Sequence, residues 1–170
     1  MGRVIDEILS VYEEIKEENF LLIERLILES KKIFVYGVGR SGFIGKCFCM
    51  RLFHLGFNSY FVGETITPKF EKDDLIILIS KSGEKSTILE IAKKCKKEKG
   101  KILSITSNKK NILAKISDFT IVIPDKKSIQ IGNSLFEQVC FLFLEEFVQY
   151  YIEKNKIRKE IIEKKHTNLE

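Results

Sequence analysis

Ile33-Phe34-Val35-Tyr36-Gly37-Val38-Gly39-Arg40-Ser41-Gly42 is the stretch from which the fold is read. An apolar run meets glycines spaced G-x-G-x-x-G, and Phe43, Ile44, Phe48, Leu52 and Phe53 then recur at roughly helical spacing. The order is strand, tight turn, helix. Glycine permits positive φ and lets a ligand approach the backbone, and a helix that starts behind such a turn offers free N–H groups and its positive dipole end to an anion. A phosphate-bearing ligand is the first expectation. The same letters also spell the dinucleotide fingerprint, and glycine turns serve packing too, so the motif does not decide alone.

A second turn of related design strengthens it. The run Leu75-Ile76-Ile77-Leu78-Ile79 leads into Ser80-Lys81-Ser82-Gly83-Glu84-Lys85-Ser86-Thr87 and then another helix. Four hydroxyls, a glycine and two lysines at a strand-to-helix turn are a dense set of donors for phosphate oxygens.

Around these turns the chain alternates strand and helix. Further strands are predicted at 58–62, 101–106 and 119–123, with helices carrying Ile88, Leu89, Ile91, Ala92 and Cys95, and then Leu113 and Ile116. Strands apolar on both faces call for a parallel sheet covered on both sides. The expected fold is α/β: a three-layer α/β/α sandwich on a five-stranded parallel sheet, doubly wound and flavodoxin-like. In such sheets ligands sit beyond the strand C-termini where the order reverses, so the turns after the first and third strands should share one crevice.

The ends of the chain complete a single domain over 1–170. An amphipathic N-terminal segment, 3–29, reads as one long helix or two short ones. A last major helix, 133–154, is apolar nearly all round in its first half, which predicts burial against the sheet on one side and another subunit on the other. A charged tail, 156–170, follows.

Composition sets bounds. With 170 residues, 44% hydrophobic and 31% charged, the chain suits one domain with a real core. Its net charge of +5 is spread along helical faces, which argues against nucleic acid as the partner and suits a metabolite phosphate. The run Lys93, Lys94, Lys96, Lys97 and Lys99 is a solvated helical face. Cys47, Cys49, Cys95 and Cys140 lack the paired spacing of a zinc site and predict a reduced, cytoplasmic chain. Acidic residues at the N-terminus argue against a secretory signal, and no apolar run has the length of a membrane span.

Two side chains carry competing readings, and a third, His54, a single one. Ser134-Leu135-Phe136-Glu137 spells a capping box, yet a carboxylate in a first helical turn also suits a proton-abstracting base if the crevice opens there. His54, beside Leu52 and Leu55, reads as a satisfied structural histidine. His166 sits in a polar tail and would move a proton only if an oligomer partner supplied a pocket.

By its motifs the chain resembles the sugar isomerase (SIS) domain family, and within it the 6-phospho-3-hexuloisomerases. The likeness runs through Gly37-Val38-Gly39-Arg40-Ser41-Gly42, Met50-Arg51-Leu52 with His54-Leu55-Gly56, and Tyr60-Phe61-Val62-Gly63-Glu64-Thr65 with Thr67-Pro68. It continues through Lys72-Asp73-Asp74-Leu75, Ile131-Gly132 with Phe136-Glu137, and the closing His166 with Asn168-Leu169. The resemblance implies an enzyme that interconverts D-arabino-3-hexulose 6-phosphate and fructose 6-phosphate by an enediol mechanism, in ribulose monophosphate (formaldehyde) metabolism. Glu137 would be the base and His166 an aid to proton movement. Gly39, Arg40 and Ser41 would meet the sugar, and Ser80, Ser82, Lys85, Ser86 and Thr87 the phosphate. It implies a homo-oligomer, a tetramer or a dimer, with no metal, cofactor, nucleic acid or membrane. One segment departs: the family's second loop reads Ser-Gly-Ser-Gly-x-Thr, whereas Lys81 replaces the first glycine and Lys85 stands where threonine would be. The departure leaves open a non-catalytic phosphosugar-binding regulator or a different aldose/ketose phosphate isomerase. A dinucleotide module using Glu64 on a ribose is a further alternative.

Overall fold

The computed structural model describes residues 2–169, so Glu170 at the end of the tail lies outside the described residues. Five strands, β1 (Ile33–Gly37), β2 (Ser59–Phe61), β3 (Leu75–Ile79), β4 (Lys101–Thr106) and β5 (Phe119–Val122), form one parallel sheet in the order β2-β1-β3-β4-β5. The helices are α1 (Arg3–Tyr12), α2 (Glu18–Leu28), α3 (Arg40–His54), α4 (Ser86–Lys97), α5 (Ile112–Ile116), α6 (Ser134–Lys154) and α7 (Lys159–Glu163). A short 3-10 turn, Ile131–Asn133, precedes α6.

The layers follow from the two-residue period of a strand. Ile33, Val35, Leu75, Ile77, Ile79, Leu103, Ile105 and Ile121 point to one side and join the buried faces of α2, α3 and α6. Phe34, Ile76, Leu78 and Ile102 point to the other and join Ile88, Ala92 and Cys95 of α4 and Leu113 of α5. β3 is buried along its whole length, as a central strand covered on both sides must be. Truncating one of these buried aliphatic side chains to alanine costs about 2–5 kcal/mol.

The N-terminal segment is two helices, broken between Tyr12 and Glu18. Both pack against α6. Phe20 of α2 stacks on Phe143 at 5.2 Å between ring centres, and Val11 of α1 is fully buried. The apolar girth of α6 is therefore covered largely from within the chain, so its pattern does not by itself call for the second subunit expected on its other side. Phe141 and Leu142 are the large apolar side chains of α6 left exposed. All four cysteines are free thiols, and burial pushes Cys95 up to about 12. Among the described residues, no helix is long and apolar enough to cross a membrane.

Candidate active site

From β1 the chain first adds β2 on one side and then places β3 on the other, so the order reverses between β1 and β3. The turns leaving these two strands accordingly lie side by side at their C-terminal ends. Between them opens a cavity of about 560 Å³. One wall carries Val38, Gly39, Arg40 and Ser41, and the facing wall Ser80, Lys81, Ser82 and Lys85. Ser107, Asp125, Gly132 and Glu137 close the sides.

Glycine in the first turn serves both geometry and packing. Gly39 takes φ 63°, and a Cβ on Gly42 would stand 2.7 Å from the Gly37 carbonyl oxygen, so α3 starts hard against the end of β1. The second loop is braced from below by β4. The Gly83 N–H donates to Ser80 Oγ at 3.1 Å, and the Thr106 and Ser107 hydroxyls both donate to the Lys81 carbonyl at 2.9 Å. Asn111 Nδ2 donates to Thr106 Oγ1 at 2.6 Å while its Oδ1 caps α5 by accepting from the Ala114 N–H. Lys85 holds the extended N-cap position of α4 without a side-chain cap, because an ammonium has no lone pair to offer an N–H.

Glu137 is 14% exposed at its side chain and faces Arg40 across the cavity floor. Its Oε2 accepts from Arg40 Nε at 2.6 Å, and Oε1 has only a long contact, 3.4 Å, from the Ser41 hydroxyl. Arg40 Nη2 also donates to the Gly132 carbonyl. The capping box read from the sequence is not what holds this carboxylate. A capping serine needs extended backbone, whereas Ser134 is helical at φ −53°, ψ −33°, and its hydroxyl donates back to the Ile131 carbonyl at 2.7 Å. Gly132, at φ 63°, makes the turn that places Ser134 already inside the helix.

A family model, the SIS domain, matches residues 26–140. The chain belongs to the SIS domain family. A 3-hexulose-6-phosphate isomerase of Methanocaldococcus jannaschii is 46% identical over 150 residues, which span 87% of this chain and 82% of that protein. One from Bacillus subtilis is 38% identical over 153 residues, 85% of this chain and 83% of that protein. A crystal structure of a Methanococcus jannaschii protein, from which the function of a 3-hexulose-6-phosphate isomerase was inferred, superposes with a TM-score of 0.90 at 40% identity. The match covers 99% of this chain and 98% of that one.

On this SIS scaffold Gly39, Arg40, Ser41, Ser80, Ser82, Lys85 and Glu137 share the cavity, while Ser86 and Thr87, exposed at the start of α4, are not among its lining residues. Lys81, Ser107, Asp125 and Gly132 join them, and Lys81 Nζ pairs with Asp125 at 2.9 Å. Asp125 was legible in principle, since it follows β5 at the strand end where ligands gather. Glu64, spaced for a ribose, instead pairs with Lys46 at 2.7 Å and does not line this cavity.

His166 lies elsewhere. Its ring sits 5.3 Å from that of His54 at the far end of α3, and the 15 residues of that helix put it roughly 20 Å from the Arg40 end. His54 is buried with its Nδ1 unpartnered, which corrects the reading of a satisfied histidine. Burial, then the His166 and Arg51 charges, push its pKa below the ordinary histidine value.

Proposed function

We propose that this chain interconverts D-arabino-3-hexulose 6-phosphate and fructose 6-phosphate through an enediol. The observation that carries the reading is the Glu137 carboxylate, with Oε2 taken by Arg40 and Oε1 left facing a cavity whose opposite wall is the hydroxyl- and lysine-bearing loop. Two relatives of 38% and 46% identity described as 3-hexulose-6-phosphate isomerases support the sugar. The chemistry moves a carbonyl by one position. Glu137 Oε1 takes the proton from C2, α to the C3 carbonyl, and the electron pair forms an enediol across C2 and C3. The same carboxyl returns the proton to C3, while a hydroxyl proton moves from O2 to O3.

The supporting roles are part of the same proposal. Ser80, Ser82 and Lys85 hold the phosphate at the N-terminus of α4, where the first-turn N–H groups of Ser86 and Thr87 are the free donors of a helix start. Gly39, Arg40 and Ser41 meet the sugar oxygens, and His166 of a neighbouring subunit assists the transfer between oxygens. The whole of 1–170 acts as one SIS domain in a cytoplasmic homotetramer serving ribulose monophosphate metabolism.

The test is an isomerase assay on hexulose 6-phosphate with wild type and Ser82→Ala, beside calorimetry with fructose 6-phosphate and NAD. Turnover, weakened about tenfold or more in binding by the loss of one charge-assisted bond of roughly 1.5–3 kcal/mol, is the expected result. Binding of the phosphosugar without turnover would replace the enzyme with a regulatory phosphosugar-binding protein, and tight NAD binding would overturn both.

A further inference from the structure

Between β5 and α6 the chain runs as an irregular strap, 123–130, and meets the cavity at both ends, through Asp125 and, just beyond it, Gly132. Past Ile123, which is buried in the core, apolar burial does little to fix it, since Ile129 is 64% exposed and Ile131, just after it, 90%. Beyond Asp125, which pairs with Lys81, what holds it is α1. Glu7 Oε1 accepts from the Ile129 N–H at 2.8 Å, and Oε2 accepts from Ser128 Oγ at 2.7 Å and Gln130 Nε2 at 3.1 Å. One carboxylate thus gathers three consecutive strap residues, and Lys126 Nζ adds a bond to the Ser10 carbonyl at 2.7 Å. These bonds, the Ile129 N–H first, keep the Glu7 carboxyl below its ordinary range, in keeping with an ionised acceptor.

Two residues beyond Gln130, the Gly132 carbonyl accepts from Arg40, whose Nε grips Glu137. We propose that Glu7 is a positioning residue: through the strap it sets the Gly132 carbonyl, and through that carbonyl the guanidinium that orients the Glu137 carboxylate. This rests on the isomerase reading above and adds to it a residue of α1 that lines no part of the cavity. A guanidinium fork held at both its backbone and its carboxylate end has one orientation, whereas released at the backbone end it turns about Nε and takes Oε2 of Glu137 with it.

A double-mutant cycle with Arg40→Lys tests the route, since lysine keeps the charge and loses the fork. Glu7→Ala is expected to lower kcat at least fivefold with KM changed by less than twofold, and Glu7→Gln, which keeps one acceptor oxygen for Ile129, to fall between. In the Arg40→Lys background the same Glu7→Ala change should alter kcat by less than twofold. An undiminished kcat in folded Glu7→Ala, or an equal loss in both backgrounds, would overturn the proposal. Should Glu7→Ala fail to fold, the glutamine variant takes its place in the cycle with the same criteria. Amide exchange of Ile129 to Gly132 needs no turnover: it should quicken about tenfold in the variants, and unchanged protection would overturn the tether itself. An inactive wild type would count against the isomerase reading, and exchange would then decide the tether separately.

Discussion

Arg40 and Glu137 stand 97 positions apart in the chain and meet at 2.6 Å. With Arg40 more than half exposed, such a pair contributes about 0–1 kcal/mol to stability, so its weight lies in orientation. Glu137→Gln is accordingly expected to keep its melting temperature within a few degrees of wild type while turnover collapses, because an amide cannot accept the proton that leaves carbon. A folded, fully active variant would remove Glu137 from the catalysts. The residue itself was legible in the sequence, but its surroundings were not. Local letters offered Ser134 as its partner, and the αL turn at Gly132 and an arginine from another element displaced that pairing. His54 escaped for the same reason, since no local pattern reports that a tail histidine will lie against it. Its depressed pKa carries a sign: the unfolded chain binds the proton more readily, so stability is full above the ordinary histidine value and is lost as pH falls through the folded one. Melting temperature should drop on acidification below about pH 6.5, and less so in His54→Phe, with equal slopes counting against this assignment.

At the scale of elements, β1, β3 and β4 were readable because central strands are apolar on both faces, and the two glycine-bearing turns followed from them. β2, three half-buried residues at the sheet edge, has no such signature, and its bounds shrink from 58–62 to Ser59–Phe61. α4 shows a conflict between element and site. A threonine or serine at its N-cap would accept an N–H bond worth about 0.5–2 kcal/mol, yet Lys85 occupies that position at the cavity wall. If the lysine is there for the phosphate, Lys85→Thr should raise the melting temperature by a few degrees and at the same time weaken phosphosugar binding and flatten its salt dependence. Calorimetry at low and high salt reads both, and a variant that binds as tightly with the same salt slope would return Lys85 to the solvated surface.

The whole molecule leaves apolar surface that its own helices do not cover: Ile5 and Leu9 on α1, Phe43, Met50 and Phe53 on α3, and Ile66 beyond β2 are all exposed. Of these, Phe53 flanks His54 on α3, so the His54–His166 pair lies beside one part of the exposed apolar surface, roughly 20 Å from the Arg40 end of the same helix, where Phe43 is exposed. A proton-moving role for His166 therefore demands that a second copy bring it to a neighbour's cavity, which ties assembly to catalysis. Subunit complementation tests that link. Glu137→Gln and His166→Ala are each expected to be nearly inactive alone, but a mixed assembly contains sites with an intact Glu137 from one variant and an intact His166 from the other. Random mixing at equal amounts should restore about a quarter of wild-type turnover, rising with protein concentration as the oligomer forms. Sedimentation at micromolar concentration provides the matching physical measurement. A monomer with full activity, or a mixed oligomer with none restored, would confine the chemistry to one subunit and leave His166 as a partner for His54 alone.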